Sequence, residues 1–447
     1  MTATPVRAAL VAAQSAAIER IGIAALGAQH VAGLSITVAR DGAIVYAKGF
    51  GVREKGGAGA VDSRTIFPIG SITKQFTAAA VETLALEGKL SIDAPLATYV
   101  PDAPHARDVT VRQLLTQTSG LANYTAQPAF LATLATSTTV TPRELLATIA
   151  NEPLGFEPGK RFEYSNSNYV ALGAVIEAVA REPYADVIRE RIAQPLGLRT
   201  LTFGPPAGAS NVVVTPWTPQ ATSAAGALYA SPADIVRWDA AFFGGKLLPK
   251  AIVTAMTTPP ALPGALLPYA FGWVADTLDG RREIWHNGGV LGATTRNCWF
   301  PDQHVAVVVF GNALDFDPAP VVRAAMRAID PPSPAAVAAD GAPAPGEEAA
   351  VTVRARKEFA AWASGSIDRS QYDLRMRDAI NGTTLAAVSR QLAAAGAPTA
   401  FVFKGREQKG QATVYRYRVE TSDMPLLMTM ALDASGAIAG MYFAPAP

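Results

Sequence analysis

The spacing of apolar residues changes period several times along the chain, and each change marks an element. Near the start, Val6, Leu10, Ala13, Ile18 and Ile21 recur at roughly helical spacing and predict a first helix. The stretch LSITVARDGAIVYAKGFG then alternates apolar and polar residues about Asp41-Gly42, a dipeptide that favours a tight hairpin between two strands. From Thr73 to Leu86 the period is helical, and helices separated by Gly- and Pro-punctuated loops are expected up to about residue 280. EIWHNGG, TTRNCWF and HVAVVVFGNA follow as three short strands, the last apolar enough to be buried on both faces. Early and late strands then join in one antiparallel sheet flanked by helices, with the helical middle inserted as a second lobe. The expected fold is α+β, an antiparallel sheet flanked by helices with an inserted helical lobe, with a cleft between the lobes where a site would form.

Pattern is lost between Pro331 and Ala350, where PPSPAAVAADGAPAPGEEAA has the composition of an extended linker. The expected organisation is a large domain over residues 1–330, a linker over 331–350 and a small α+β domain over 351–447. In the last, a helix holding Phe359 and Trp362 and another around Leu385 to Leu392 precede two hairpins. This tail contains no His and no Cys, and its expected role is accessory.

Charge narrows the possible partners. The formal net charge is +1 with 17% charged residues and no basic run, so nothing favours nucleic acid or a membrane surface. The single cysteine, Cys298, excludes an internal disulfide, and His30, His105, His286 and His304 lie far apart, which argues against a metal enzyme. No cofactor is called for, and the expected partner is a small ester, amide or peptide. No apolar run is long enough to span a bilayer. The compartment stays open: a trimmed signal peptide would place the chain in the periplasm or outside the cell, and otherwise it would be cytoplasmic.

Candidate chemistry sits at three places. In FPIGSITKQFTAAA, Ser71 opens a helix and Lys74 follows three residues later, one turn away on the same face. An amine there can take the serine proton if burial lowers its pKa, and free amides at the helix start can stabilise an oxyanion. The competing reading makes Ser71 a plain helix cap. In EPGKRFEYSNSNYVALGAVIE, Tyr164 and Asn166 alternate along an extended segment and would enter one cleft, the phenol for acid-base work and the amide for a substrate carbonyl. The alternative there is an N-capping Asn beside a core Tyr. Trp285-His286-Asn287-Gly288-Gly289 lies on a strand whose glycines mark close approach of a ligand or backbone. Gly289 can offer its amide to an oxyanion. His286 would orient a substrate carboxylate, feed the proton network, or be structural.

Together these elements resemble the serine β-lactamase and penicillin-binding protein superfamily, particularly the branch of class C β-lactamases, D-aminopeptidases and related carboxylesterases. Ser71-Ile-Thr-Lys74 comes first, Tyr164-Ser-Asn166 begins 93 residues later, and His286-Asn-Gly288 begins 120 residues after Asn166. GKLSIDAPLATYVPD and VTVRQLLTQTSGL add to the likeness, which covers roughly residues 20 to 315. The resemblance implies a β-lactamase/transpeptidase-like build, with Ser71 as nucleophile, Lys74 and Tyr164 as the base system, Asn166 as a substrate contact, and the amides of Ser71 and Gly289 as the oxyanion hole. The chain departs from the pattern twice. His286 replaces the lysine of true β-lactamases, and Gln117 stands where a histidine is often found before Thr118-Ser119-Gly120. The tail loosely resembles cystatin or NTF2-type domains.

The implied function is a serine hydrolase working through an acyl-enzyme on Ser71, on esters, D-amino-acid amides or peptides, with weak β-lactam hydrolysis last. Two alternatives stay open: an acyltransferase or cyclising thioesterase, in which an amine replaces water, and a non-catalytic penicillin-binding-protein-like receptor. An α/β-hydrolase is set aside because the chain has no Gly-x-Ser-x-Gly elbow.

Overall fold

The computed structural model describes residues 10–29, 31–54, 57, 59–127, 130, 140–216, 218–262, 267–333, 343–380, 382–409, 412–421 and 426–445. Val6, His30 and the linker's centre, 334–342, lie outside the described residues. The chain divides into two compact units, Met1–Pro331 and Pro332–Pro447.

The first unit opens with helix α1 (Ala12–Ala28) and the hairpin of β1 (Gly33–Arg40) and β2 (Ala43–Gly51). Asp41 (φ 50°) and Gly42 (φ 79°) both take positive φ, the two-residue turn that matches strand twist. Next come β3 (Phe67–Pro68), α2 (Thr73–Leu86) and α3 (Val111–Leu115). The lobe continues with α4 (Asn166–Ala180), β4 (Thr202–Phe203), β5 (Leu228–Ala230) and α5 (Pro232–Phe243). Strands β6 (Val274–Leu278), β7 (Arg281–Val290), β8 (Ala293–Phe300) and β9 (Val305–Gly311), then α6 (Ala319–Ile329), complete the unit. The main sheet runs β2-β1-β9-β8-β7-β6, every neighbour antiparallel. Early and late strands thus share one sheet, and β9, buried at every position, is internal to it. The sequence pattern gave no sign of β6, an edge strand whose centre is exposed and polar.

Alternation along the strands feeds two cores. Val307, Val309, Cys298 and Phe300 pack under α1 and α6 with Ile18, Val322 and Met326. Val308, Phe310, Ile284 and Trp299 face the lobe with Phe76, Trp238 and Phe242. The lobe-facing core also holds polar groups: Asp239 Oδ1 accepts from Asn297 Nδ2 at 2.8 Å, and Gln75 Oε1 accepts from Trp238 Nε1 at 3.1 Å. Burial pushes the Asp239 carboxyl up to about 8.

The second unit packs α7 (Ala349–Ser364) and α8 (Gly382–Ala395) with a four-stranded antiparallel meander, β10 (Pro398–Lys409), β11 (Ala412–Thr421), β12 (Leu426–Leu432) and β13 (Ile438–Pro445). Its core is centred on Phe359, Trp362, Tyr372, Phe403, Tyr417 and Met428.

Candidate active site

The short strand β3, paired with β5, delivers the chain to a single 3-10 turn, Gly70–Ile72, which runs straight into α2. Gly70 sits at φ 50°, and a Cβ there would lie 2.6 Å from the backbone nitrogen of Gly289. Only glycine lets the start of α2 and strand β7 come this close. Gly288 has the same need, since its Cβ would lie 1.9 Å from the Ile69 carbonyl oxygen. Thr295 fastens the junction by donating to that same oxygen at 3.0 Å. The amides of Ser71 and Gly289 therefore flank one point of contact, and both residues reach the surface.

Lys74 is completely buried, with Nζ 3.0 Å from Ser71 Oγ, 2.9 Å from Asn166 Oδ1 and 2.8 Å from the Ala225 carbonyl oxygen. Burial holds its pKa well below the ordinary lysine value. The two carbonyl oxygens can only accept, so a neutral amine would give them its two N–H bonds and turn its lone pair to Ser71 Oγ. Tyr164 completes the cluster. Its phenol hydrogen-bonds Ser71, and its ring centroid is 4.9 Å from Lys74 Nζ. Burial raises the phenol pKa more than that hydrogen bond lowers it, so Tyr164 rests protonated.

Asn166 is the first residue of α4, so the extended segment expected to carry it ends at Ser165. Its backbone N–H donates to Asn123 Oδ1 at 3.1 Å, its Oδ1 is committed to Lys74, and Nδ2 donates to Thr125 Oγ1 at 3.5 Å, which leaves one Nδ2 hydrogen for a substrate. His286 is buried, with Nδ1 2.5 Å from the Asn287 carbonyl oxygen and Nε2 3.1 Å from the Tyr269 hydroxyl. The carbonyl fixes the tautomer: Nδ1 donates and Nε2 accepts. Burial lowers its pKa to about 3, so the ring is neutral and carries no charge for a substrate carboxylate. The structure thus brings Ser71, Lys74, Tyr164 and Asn166 together, with Gly288 and Gly289 alongside and His286 beside Tyr269.

Sequence reasoning missed Tyr269 and the Ala225 carbonyl. Tyr269 stands edge-on to Tyr164 (centroids 5.9 Å, 82°) and to His286 (5.6 Å, 83°), and the Tyr164 and His286 rings also meet at 6.2 Å, so the three rings form one cluster. Its signal was the aromatic and glycine cluster YAFGW, where a Cβ on Gly272 would lie 2.7 Å from the Lys74 carbonyl oxygen. Ala225 acts through its backbone and leaves no trace in side-chain identity. Beyond Gly289 the surface is apolar. Leu291 is 47% exposed, Leu314 54% and Val214 73%; Leu314 Cδ1 reaches to 4.0 Å of a Cβ built on Gly289. Thr215, next to Val214, adjoins Gly292 at the β7–β8 turn.

With this geometry in view, the sequence profile described as Beta-lactamase matches residues 10–330. The chain belongs to the β-lactamase family. Among its relatives, the putative penicillin-binding protein PbpX of Bacillus subtilis is 28% identical over 62% of this chain and 69% of its own length. Esterase EstB of Burkholderia gladioli is 33% identical over 43% of this chain and about half, 52%, of its own length. The crystal structure of a D-stereospecific amidohydrolase from Streptomyces sp. superposes with a TM-score of 0.61 at 30% identity, covering 71% of this chain and 98% of that one. As a β-lactamase-family protein with esterase and amidohydrolase relatives, the chain is a serine hydrolase. Among the described residues, no helix is long and apolar enough to cross a membrane.

Proposed function

We propose that the protein hydrolyses esters and amides through an acyl-enzyme on Ser71. The observation that carries this is the coordination of Lys74: two fixed carbonyl acceptors and one serine oxygen around a buried amine. Neutral Lys74 takes the Ser71 proton as Oγ attacks the substrate carbonyl carbon, and the negative oxygen settles between the Ser71 and Gly289 amides. The tetrahedral adduct collapses, Tyr164 gives its proton to the leaving oxygen or nitrogen, and Lys74 returns its proton to the phenolate. Water then attacks the ester on Ser71, deprotonated by the same pair, and the acid leaves.

Esters come first because an alkoxide asks least of Tyr164. D-amino-acid amides come next, as the Streptomyces amidohydrolase and EstB name the two chemistries of the relatives. β-Lactams come last, since neutral His286 supplies no positive charge for their carboxylate. The exposed apolar rim beyond Gly289 suits a substrate with an apolar body. We further propose that the second unit is an accessory to this chemistry.

Intact-mass analysis after an activated phosphonate, with peptide mapping and p-nitrophenyl butyrate turnover, tests the reading. Labelling of Ser71 alone, with turnover abolished in Ser71→Ala, is expected. If the wild type shows neither labelling nor turnover, the acyl-enzyme reading fails and a receptor takes its place.

A further inference from the structure

Gln117 lies outside the three motifs yet grips the segment that carries the second. It is completely buried and sits at φ 58°, a left-handed conformation that a residue with a side chain adopts only when its surroundings hold it there. Its main-chain oxygen accepts from Glu163 N at 3.0 Å. Its side-chain Oε1 accepts from Ser165 N at 3.0 Å and from Asn168 Nδ2 at 2.5 Å. Glu163 and Ser165 flank Tyr164, so one residue holds the chain on both sides of the phenol. Asn168 is itself fixed by Ser119 Oγ at 2.5 Å. Its amide nitrogen is buried and finds no hydrogen-bond partner among the described residues.

We infer that Gln117 is a positioning residue, which sets Tyr164 over Ser71 through a group that carries no charge. The inference rests on the acyl-enzyme reading. The chemistry of the acceptor makes it specific. An amide oxygen has two lone pairs and takes both N–H donors; a neutral imidazole offers one acceptor nitrogen, a protonated imidazole none. An apolar side chain would leave both donors buried and unpaired. The titratable groups around the position are Tyr164, Tyr169, Tyr269, Lys74 and His286, while the Glu163 carboxylate turns outward to Arg161. Burial raises the three phenols and lowers the amine and the imidazole. A histidine at 117, dried in the same way as His286, would rest neutral and offer one acceptor nitrogen where Gln117 offers two lone pairs.

The test compares wild type, Gln117→His and Gln117→Leu by p-nitrophenyl butyrate turnover from about pH 5 to 9 and by the rate of Ser71 labelling. Gln117→His, which can satisfy only one of the two donors, is expected to lower kcat roughly three- to tenfold at every pH, with KM moving less than about threefold. Gln117→Leu is expected to lower kcat roughly 10- to 100-fold at every pH and to slow labelling in step. Should the leucine variant melt before assay temperature, the kcat of the histidine variant decides alone. A histidine profile that superimposes on wild type, or an unchanged kcat in a folded leucine variant, overturns the inference while leaving the acyl-enzyme reading intact. Absence of labelling in wild type sinks that reading, and the inference with it.

Discussion

A lysine in water is an acid that holds its proton; what turns Lys74 into a base is the dry, carbonyl-lined position it occupies. Tyr164 is shifted the other way, so burial favours the neutral form of both groups. This division of labour predicts a split in Tyr164→Phe: roughly 100-fold loss of kcat/KM on a D-amino-acid amide, against less than about tenfold on an activated ester, which needs no proton at its leaving group. Equal losses on both substrates would remove Tyr164 from the leaving-group step. Asp239 makes a second prediction, in stability. Its folded pKa is raised to about 8 from an ordinary 3.8, so the folded state keeps a proton that the unfolded chain has released. Stability is therefore greatest below the unfolded value and declines as pH rises through that window, a cost of about 4 kcal/mol by neutrality. Asp239→Asn keeps the bond to Asn297 and should raise Tm at neutral pH while flattening its pH dependence, which thermal melts from acid to mildly alkaline pH would show. Ser71 and Lys74 were legible in the sequence because one helical turn suffices to bring them together. The Ala225 carbonyl was not, since backbone groups look alike in any sequence.

The β7–β8 hairpin joins two properties in one element: glycines near the end of its first strand let it touch the turn holding Ser71, and beyond them Leu291 of its tip and Leu314 of the loop after β9 are exposed. If that apolar rim receives the substrate's apolar body, Leu314→Ser should reduce the preference for a medium-chain over an acetyl p-nitrophenyl ester by roughly tenfold, leaving acetyl ester turnover near wild type. A chain-length series read as kcat/KM would show it, and an unchanged preference would assign the rim to something else. Most strands were readable from their alternation or continuous apolar runs, as in β1, β8 and β9. β6 was not, because an edge strand buries only its ends and its middle residues obey no pattern. Tyr269 escaped for a related reason: it stands just before β6, in a segment whose course is set by contact with α2 rather than by its own periodicity.

For the molecule as a whole, every side chain assigned to the chemistry belongs to Met1–Pro331. A chain ending after Pro331 should hydrolyse small activated esters within about threefold of the full chain, since an independently cored unit of that size can fold alone. A soluble truncation with no turnover would give the second unit a part in forming the site. Composition and the Pro/Ala-rich stretch indicated where the chain might divide, but carried nothing about the purpose of the second unit, whose residues bear no recognisable chemistry.

The approach of Gly70 to Gly289 also sets an order of events in the cell. The nucleophile and the strand that would receive the oxyanion are 218 residues apart, and β7 lies within the sheet only once β8 and β9 have been made. A growing chain that has emerged with Ser71, Lys74 and Tyr164 still lacks half of the pocket. Catalytic competence therefore arrives late in synthesis, after the closing strands have docked, and an incomplete chain is held inactive by topology alone.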